Sequence, residues 1–128
     1  CRHMIIWVKD APVFSMGRLD YDYQHEPILY GWKKNHTHYS SGNFKSSVWS
    51  VPRPKTSKLH PTMKPIELIV NAIMNSSKRD DTVQDLFGGS GSTLIASEKT
   101  NRICYMMEID PLYCDVIRRR YEIFTSAN

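Results

Sequence analysis

Apolar residues along this chain fall into five short clusters of the strand type and three longer stretches with helical spacing. Met4 to Lys9 and Glu26 to Trp32 are rich in β-branched and aromatic residues and read as strands. Between them Pro12 and Gly17 mark a loop. Residues 33 to 60 are mostly irregular, with a short strand expected at Ser47 to Val51. From Ile66 onward the two patterns alternate. Ile66 to Ser77 places Ile66, Ile69, Val70, Ile73 and Met74 on one face of a helix. Thr82 to Phe87 reads as a strand, Ser92 to Lys99 as a helix, and Arg102 to Glu108 as a strand. Pro111 to Phe124 follows as a helix with Leu112, Val116, Ile117, Tyr121 and Phe124 along its buried side. This order predicts an α/β fold in which the 82–87 and 102–108 strands pair in parallel. There is no internal repeat and no low-complexity tract.

The run Asp85-Leu86-Phe87-Gly88-Gly89-Ser90-Gly91-Ser92-Thr93 lies between a predicted strand and a predicted helix, and Glu108 closes the next strand. That is the layout of a nucleotide-binding βαβ unit: a tight glycine turn, a helix N-terminus, then a carboxylate for a ribose. Gly89 and Gly91 let the backbone turn sharply and approach a ligand. A dinucleotide fingerprint would need a third glycine where Leu94 stands, and a Walker-type loop would need a lysine that is absent. An adenosine-like ligand without a phosphate chain remains, with Glu108 accepting hydrogen bonds from two ribose hydroxyls. Taken alone, the loop also fits any glycine-rich βα turn, with Glu108 a solvated charge at a strand end.

A second motif, His60-Pro61-Thr62-Met63-Lys64-Pro65, precedes the 66–77 helix pattern. Pro65 suits the first helical position, where its missing N–H is no loss. The Thr62 hydroxyl and the Lys64 cation could together hold a carboxylate. In this order the two motifs and the Glu108-Ile109-Asp110 segment resemble the C-terminal half of the amino-directed DNA methyltransferases, in the permuted class with the catalytic half first. Met4-Ile5-Ile6-Trp7-Val8-Lys9 and His25-Glu26-Pro27-Ile28-Leu29-Tyr30 look like the strands that follow that catalytic half. The likeness covers nearly the whole chain and is weakest over residues 33 to 58; Leu86 stands where the family usually has proline.

The resemblance implies a Rossmann-like methyltransferase sheet with helices on both faces. It implies transfer of a methyl group from S-adenosylmethionine to the exocyclic amino group of adenine (N6), with cytosine N4 as the alternative. Phe87, Gly89 and Gly91 would line the methionine and adenosine parts of the cofactor, Glu108 would bind the ribose, and Thr62 and Lys64 the methionine carboxylate. Asp85 would support the loop or the cofactor's amino group. Asp110 fits better as a helix N-cap, with Pro111 at the first helical position.

The family's catalytic Asp-Pro-Pro-Tyr or Ser-Pro-Pro-Tyr run does not occur in this sequence, and the chain starts at Cys1. The expectation is a fragment of a longer enzyme that starts after the catalytic loop: residues 1–32 a strand hairpin, 33–60 a basic insert placed like a target-recognition segment, and 61–128 the cofactor-binding half. The absent strands would leave the sheet incomplete, with a gap or a bare edge, and bare edges invite pairing. Rearrangement, or a homodimer that covers the edge, is expected.

Composition and charge refine this picture. At 128 residues, 41% hydrophobic and 23% charged, the chain is one ordinary globular domain. No apolar run approaches the ~20 residues of a membrane span. Cys1, Cys104 and Cys114 have no metal-ligand spacing, and Cys104 and Cys114 read as buried thiols, which points to a reducing, cytoplasmic setting. Residues 1–60 carry nine Lys or Arg against four Asp or Glu (+5), and residues 61–128 eight against nine (−1). Lys33, Lys34, Lys45, Arg53, Lys55 and Lys58 form an acid-free basic stretch interleaved with Tyr39, Phe44 and Trp49. Bases of this kind neutralise phosphates and aromatics stack on exposed nucleobases; charge alone leaves the choice open, and the methyltransferase resemblance implies double-stranded DNA as the partner. The bland alternative is a solvated loop whose aromatics fold back on the domain. His36-Thr37-His38 reads as an exposed pair without further ligands, and His25-Glu26 as a strand opening that serves hydrogen bonding. Gly89-Ser90-Gly91 lacks the spacing of a hydrolase elbow. Rival classes are a binding module with a vestigial loop, and an RNA or protein methyltransferase.

Overall fold

In the computed structural model, which describes residues 1–13, 20–54 and 63–127, two small sheets are joined by packed helices. The first sheet contains β1 (His3–Val8), β2 (His25–Tyr30) and β3 (Val48–Ser50) in the order β2-β1-β3. β1 and β2 run antiparallel with Ile5 opposite Ile28 and Trp7 opposite Glu26. β3 lies parallel to β1 on its other side, with Trp49 opposite Trp7. Side chains alternate across a strand, so Ile5, Trp7, Ile28 and Trp49 share one face. That face, with Val51 and Leu68, forms the core, against which Phe44 and Ala72 also pack. The Trp7 indole Nε1–H donates to the Val51 carbonyl at 2.7 Å, which satisfies the polar edge of a buried ring.

The basic insert is thus partly a structural element: the strand expected within it is present, and its Trp49 and Val51 are core residues. This corrects the expectation that its aromatics stack on bases. Trp49 is 4% exposed, Phe44 stacks on it with ring centroids 6.3 Å apart, and half-buried Tyr39 lies under the Lys78 ammonium.

Helix α1 (Ile66–Ser76) packs on this core and on α2 (Ser92–Lys99). Its buried residues are Leu68, Asn71, Ile73 and Asn75. On the apolar face expected from the sequence, Ile73 is buried and Ile66, Ile69, Val70 and Met74 are half-buried; the helix also buries Leu68, Asn71 and Asn75 on its other sides. The two asparagines carry the 39–44 segment. Asn71 Oδ1 accepts from the Phe44 N–H at 2.8 Å and Asn75 Oδ1 from the Gly42 N–H at 2.9 Å. A Cβ on Gly42 would fall 2.3 Å from Asn71 Oδ1 and 2.9 Å from the Asn71 carbonyl, so only glycine fits there. Pro65 is not the first helical residue as expected. It is the N-cap, with ψ of 132° outside the helical range.

The second sheet pairs β4 (Thr82–Asp85) with β5 (Ile103–Met106) in parallel, as the alternation of patterns requires. Helix α2 crosses between them and rests on β5. Helix α3 (Pro111–Ser126) begins as expected: Pro111 is its first residue and Asp110 Oδ1 accepts from the Leu112 N–H at 2.9 Å. Its buried side is shallower than expected. Leu112 is 75% exposed, and Val116, Ile117, Tyr121 and Phe124 are half-buried, because α3 rests on α2 and otherwise faces outward. Cys104 and Cys114 are free and half-buried, and burial pushes the Cys104 thiol above its ordinary pKa.

No ladder joins β4 to the first sheet among the described residues, which agrees with an incomplete sheet. On β5 and beyond it, Ile103, Tyr105, Met107 and Ile109 alternate outward and are exposed, while Cys104, Met106, Glu108 and Asp110 turn inward. No helix among the described residues is long and apolar enough to cross a membrane.

Candidate functional site

The glycine loop is built at the carboxyl end of β4, where open α/β sheets place ligands. Asp85 starts it: its Oδ1 accepts from the Phe87 N–H at 3.0 Å, a carboxylate-stabilised turn. The Asp85 carbonyl accepts from the Met107 N–H and the Met107 carbonyl from the Gly88 N–H, both at 2.8 Å, so the two strand exits stay in step. Gly88, to which the sequence assigned no role, lies in this tight space, where an added Cβ would come within 3.2 Å of the Met107 carbonyl and displace the Met106 side chain. That Cβ would sit 2.7 Å from the Met106 sulfur.

Gly89 and Gly91 take φ of +53° and +80°, the left-handed region that favours glycine. Gly91 is the N-cap of α2, and a Cβ there would also lie 3.1 Å from Ile117. Glu108, two residues past the end of β5, closes the loop. Its Oε2 accepts from the Gly89 N–H at 2.6 Å and its Oε1 from the Asp110 N–H at 3.0 Å. Phe87, within the loop, is 87% exposed. Thus Asp85, Phe87, Gly89, Gly91 and Glu108 converge on one turn. Thr62 lies outside the described residues.

Lys64 joins this turn through its backbone: the Ser92 hydroxyl, at the start of α2, donates to the Lys64 carbonyl at 3.1 Å. Its ammonium meets Glu26 Oε2 on β2. Lys9 Nζ meets the second Glu26 oxygen at 2.8 Å. Both ammonium groups lie over the Trp7 ring, Lys9 at 5.4 Å and Lys64 at 5.1 Å from its centroid. Burial pushes the Glu26 carboxyl up, but hydrogen bonds from Lys64 and Lys9 outweigh it and hold the group below its usual value. The sequence reading missed Lys9 as a site residue and gave Glu26 only a hydrogen-bonding part. A lysine ending a strand gives no local sign that it is buried. Arg120 was also missed: its guanidinium donates to the Ser90 carbonyl from α3, and burial lowers its pKa.

Lys33, Lys34 and Lys45 are exposed, with Lys45 donating to the Ser40 carbonyl. Half-buried Arg53 is tied down at Asp10, whose Oδ1 accepts from the Arg53 N–H at 3.0 Å. Lys55 and Lys58 lie outside the described residues. A groove of about 540 Å³ runs past His3, Tyr30, Trp32 and His36, away from the glycine loop. No cluster of three potential metal ligands occurs among the described residues.

Comparison with known proteins adds the following. A family model described as DNA methylase (N6_N4_Mtase) matches residues 1–119. The Type II methyltransferase M2.MboI of Moraxella bovis is 28% identical over 139 residues, covering 96% of this chain and 50% of that protein. The Type II methyltransferase M.Cfr9I of Citrobacter freundii is 31% identical over 117 residues, covering 90% of this chain and 39% of that protein. The crystal structure of the M1.HpyAVI–SAM complex superposes with a TM-score of 0.74 at 28% identity, over 93% of this chain and 61% of that one. The cytosine-N4-specific PvuII DNA methyltransferase superposes at 0.76 with 17% identity, over 96% of this chain and 54% of that one, a likeness of fold. The chain spans half or less of the length of these two Type II relatives.

Proposed function

The chain belongs to the DNA methylase family, and from that premise we propose that it is the cofactor-binding and DNA-contacting portion of an adenine-N6 DNA methyltransferase that uses S-adenosylmethionine. The observation that carries this reading is the Glu108 carboxylate set against the glycine turn. Hydrogen bonds from the Gly89 and Asp110 N–H groups fix the orientation of this carboxylate at the turn. A carboxylate held at this place is suited to accept from ribose hydroxyls. The left-handed Gly89 and Gly91 leave the turn without side-chain bulk, and exposed Phe87 offers a ring face beside it. Asp85 acts through the turn, which its carboxylate holds at Phe87. Lys64, with Thr62, would receive the methionine carboxylate.

The cofactor supplies the methyl group as an electrophile on sulfur. The residues of this chain would fix that group in place, so that a flipped adenine amino nitrogen can approach in line. Lys33, Lys34 and Lys45, with Arg53, Lys55 and Lys58, would neutralise backbone phosphates. The Asp-Pro-Pro-Tyr or Ser-Pro-Pro-Tyr run that would accept the amino group's hydrogen bonds is not in this sequence.

One incubation tests the whole reading: the purified chain with duplex DNA and methyl-labelled cofactor. The chain is expected to retain DNA in a salt-dependent way and to transfer no label. Replacing Lys33, Lys34 and Lys45 with glutamine is expected to flatten the slope of log affinity against log salt by roughly 3 × 0.9. Label in the DNA, or an unchanged slope, would refute the corresponding part.

The outward row Ile103, Tyr105, Met107 and Ile109, together with the unpaired edge of β4, supports a further element of the reading, self-association of the isolated chain. Light scattering across a concentration series is expected to show a dimer, and a monomer throughout would exclude it.

A further inference from the structure

Lys9, Glu26 and Lys64 place two ammonium groups on one carboxylate, and the two are not equivalent. Lys9 is 6% exposed, and its distance to Glu26 Oε1 is 2.8 Å. A buried ammonium that lost its counter-ion would be strongly destabilising, so the Lys9–Glu26 pair is fixed. Lys64 is 50% exposed on a flexible four-carbon stem, and its bond to Glu26 can be exchanged at little cost. Its backbone is anchored on the glycine-loop helix through Ser92. Lys64 therefore links Glu26, through its ammonium, to the glycine-loop helix, through its backbone.

We propose that Glu26 is a resident counter-ion for Lys64, and that the carboxylate of an amino-acid-bearing nucleoside competes with Glu26 for the Lys64 ammonium. Glu26 then keeps Lys9 alone. This deepens the cofactor reading and rests on it. The consequence is a competition. Apparent affinity for a carboxylate-bearing ligand is reduced by the fraction of chains whose Lys64 is held at Glu26, while a ligand without a carboxylate is indifferent to that fraction. Glu26 and Lys9 are thus positioning residues for Lys64, and they set how strongly the site prefers ligands that carry the amino-acid tail.

The test compares S-adenosylmethionine with 5′-methylthioadenosine, which keeps the nucleoside and lacks the carboxylate. Dissociation constants are measured for the unmodified chain and for Glu26→Gln. The variant is expected to bind S-adenosylmethionine about fivefold more tightly and methylthioadenosine unchanged. If the charge lost opposite Lys9 unfolds this variant, the pair Lys9→Gln with Glu26→Gln sets two neutral amides against each other, and the same shift is expected there. Unchanged affinity for S-adenosylmethionine in a folded variant, or equal tightening for both ligands, overturns the competition. Failure of the unmodified chain to bind either ligand instead overturns the cofactor reading beneath it.

Discussion

Trp7→Ala is expected to leave the chain largely unfolded. The ring is 3% exposed and packs with Trp49, Val51 and Leu68 at the meeting point of the three-stranded sheet and α1. Removing a buried tryptophan costs about 3–5 kcal/mol through lost burial and the cavity that remains. Two further losses add to this. The Val51 carbonyl loses the indole N–H, and Lys9 and Lys64 lose the aromatic face beneath them. Whole domains are stable by only about 5–15 kcal/mol, and a chain with an open apolar row and an unpaired edge is expected near the lower end. Urea unfolding followed by circular dichroism checks this. Trp7→Phe should fall between, keeping most of the packing and losing the hydrogen bond. A midpoint for Trp7→Ala equal to that of the parent would show that the core is held elsewhere.

The second large effect is expected at Glu108. Alanine there removes the acceptor for the Gly89 and Asp110 N–H groups together. Hydrogen bonds to a charged group contribute about 1.5–3 kcal/mol each. Those groups can turn to water in part, so the stability loss should be modest. Cofactor affinity should fall about 100-fold, because the turn would lose its brace and, on the proposed reading, the ribose its partner. Glu108→Gln retains one oxygen acceptor and should lose less. Competition against a fluorescent nucleoside analogue gives the ranking, and equal affinity in all three proteins would remove Glu108 from the site.

What the sequence revealed and what it hid divide along a physical line. The glycine turn, Glu108, the Asp110–Pro111 helix start and the parallel β4–β5 pair were legible because each depends on local geometry: positive φ, a cap, a strand period. The residues that were missed act over long sequence distances. Asn71 and Asn75 sit on a helix whose apolar spacing suggested a different face, yet they supply the acceptors for Gly42 and Phe44. Lys9 and Glu26 meet only because β1 and β2 pair in one register. Phe44 and Trp49 misled in the opposite sense. Among lysines they resemble a stacking platform, but the alternation of Trp49 and Val51 around Ser50 was a strand signal: β3 turns Trp49 inward, and Val51, the residue after it, is buried as well. Charge content did not distinguish these cases. The parity of a three-residue strand did.

The central claim is that this chain holds a preformed site for S-adenosylmethionine at the Asp85–Gly91 turn, and calorimetric titration of that cofactor into the unmodified chain tests it most directly. Saturable binding with one site per chain is the expected result. Absence of binding under conditions where circular dichroism shows the chain folded would contradict the claim.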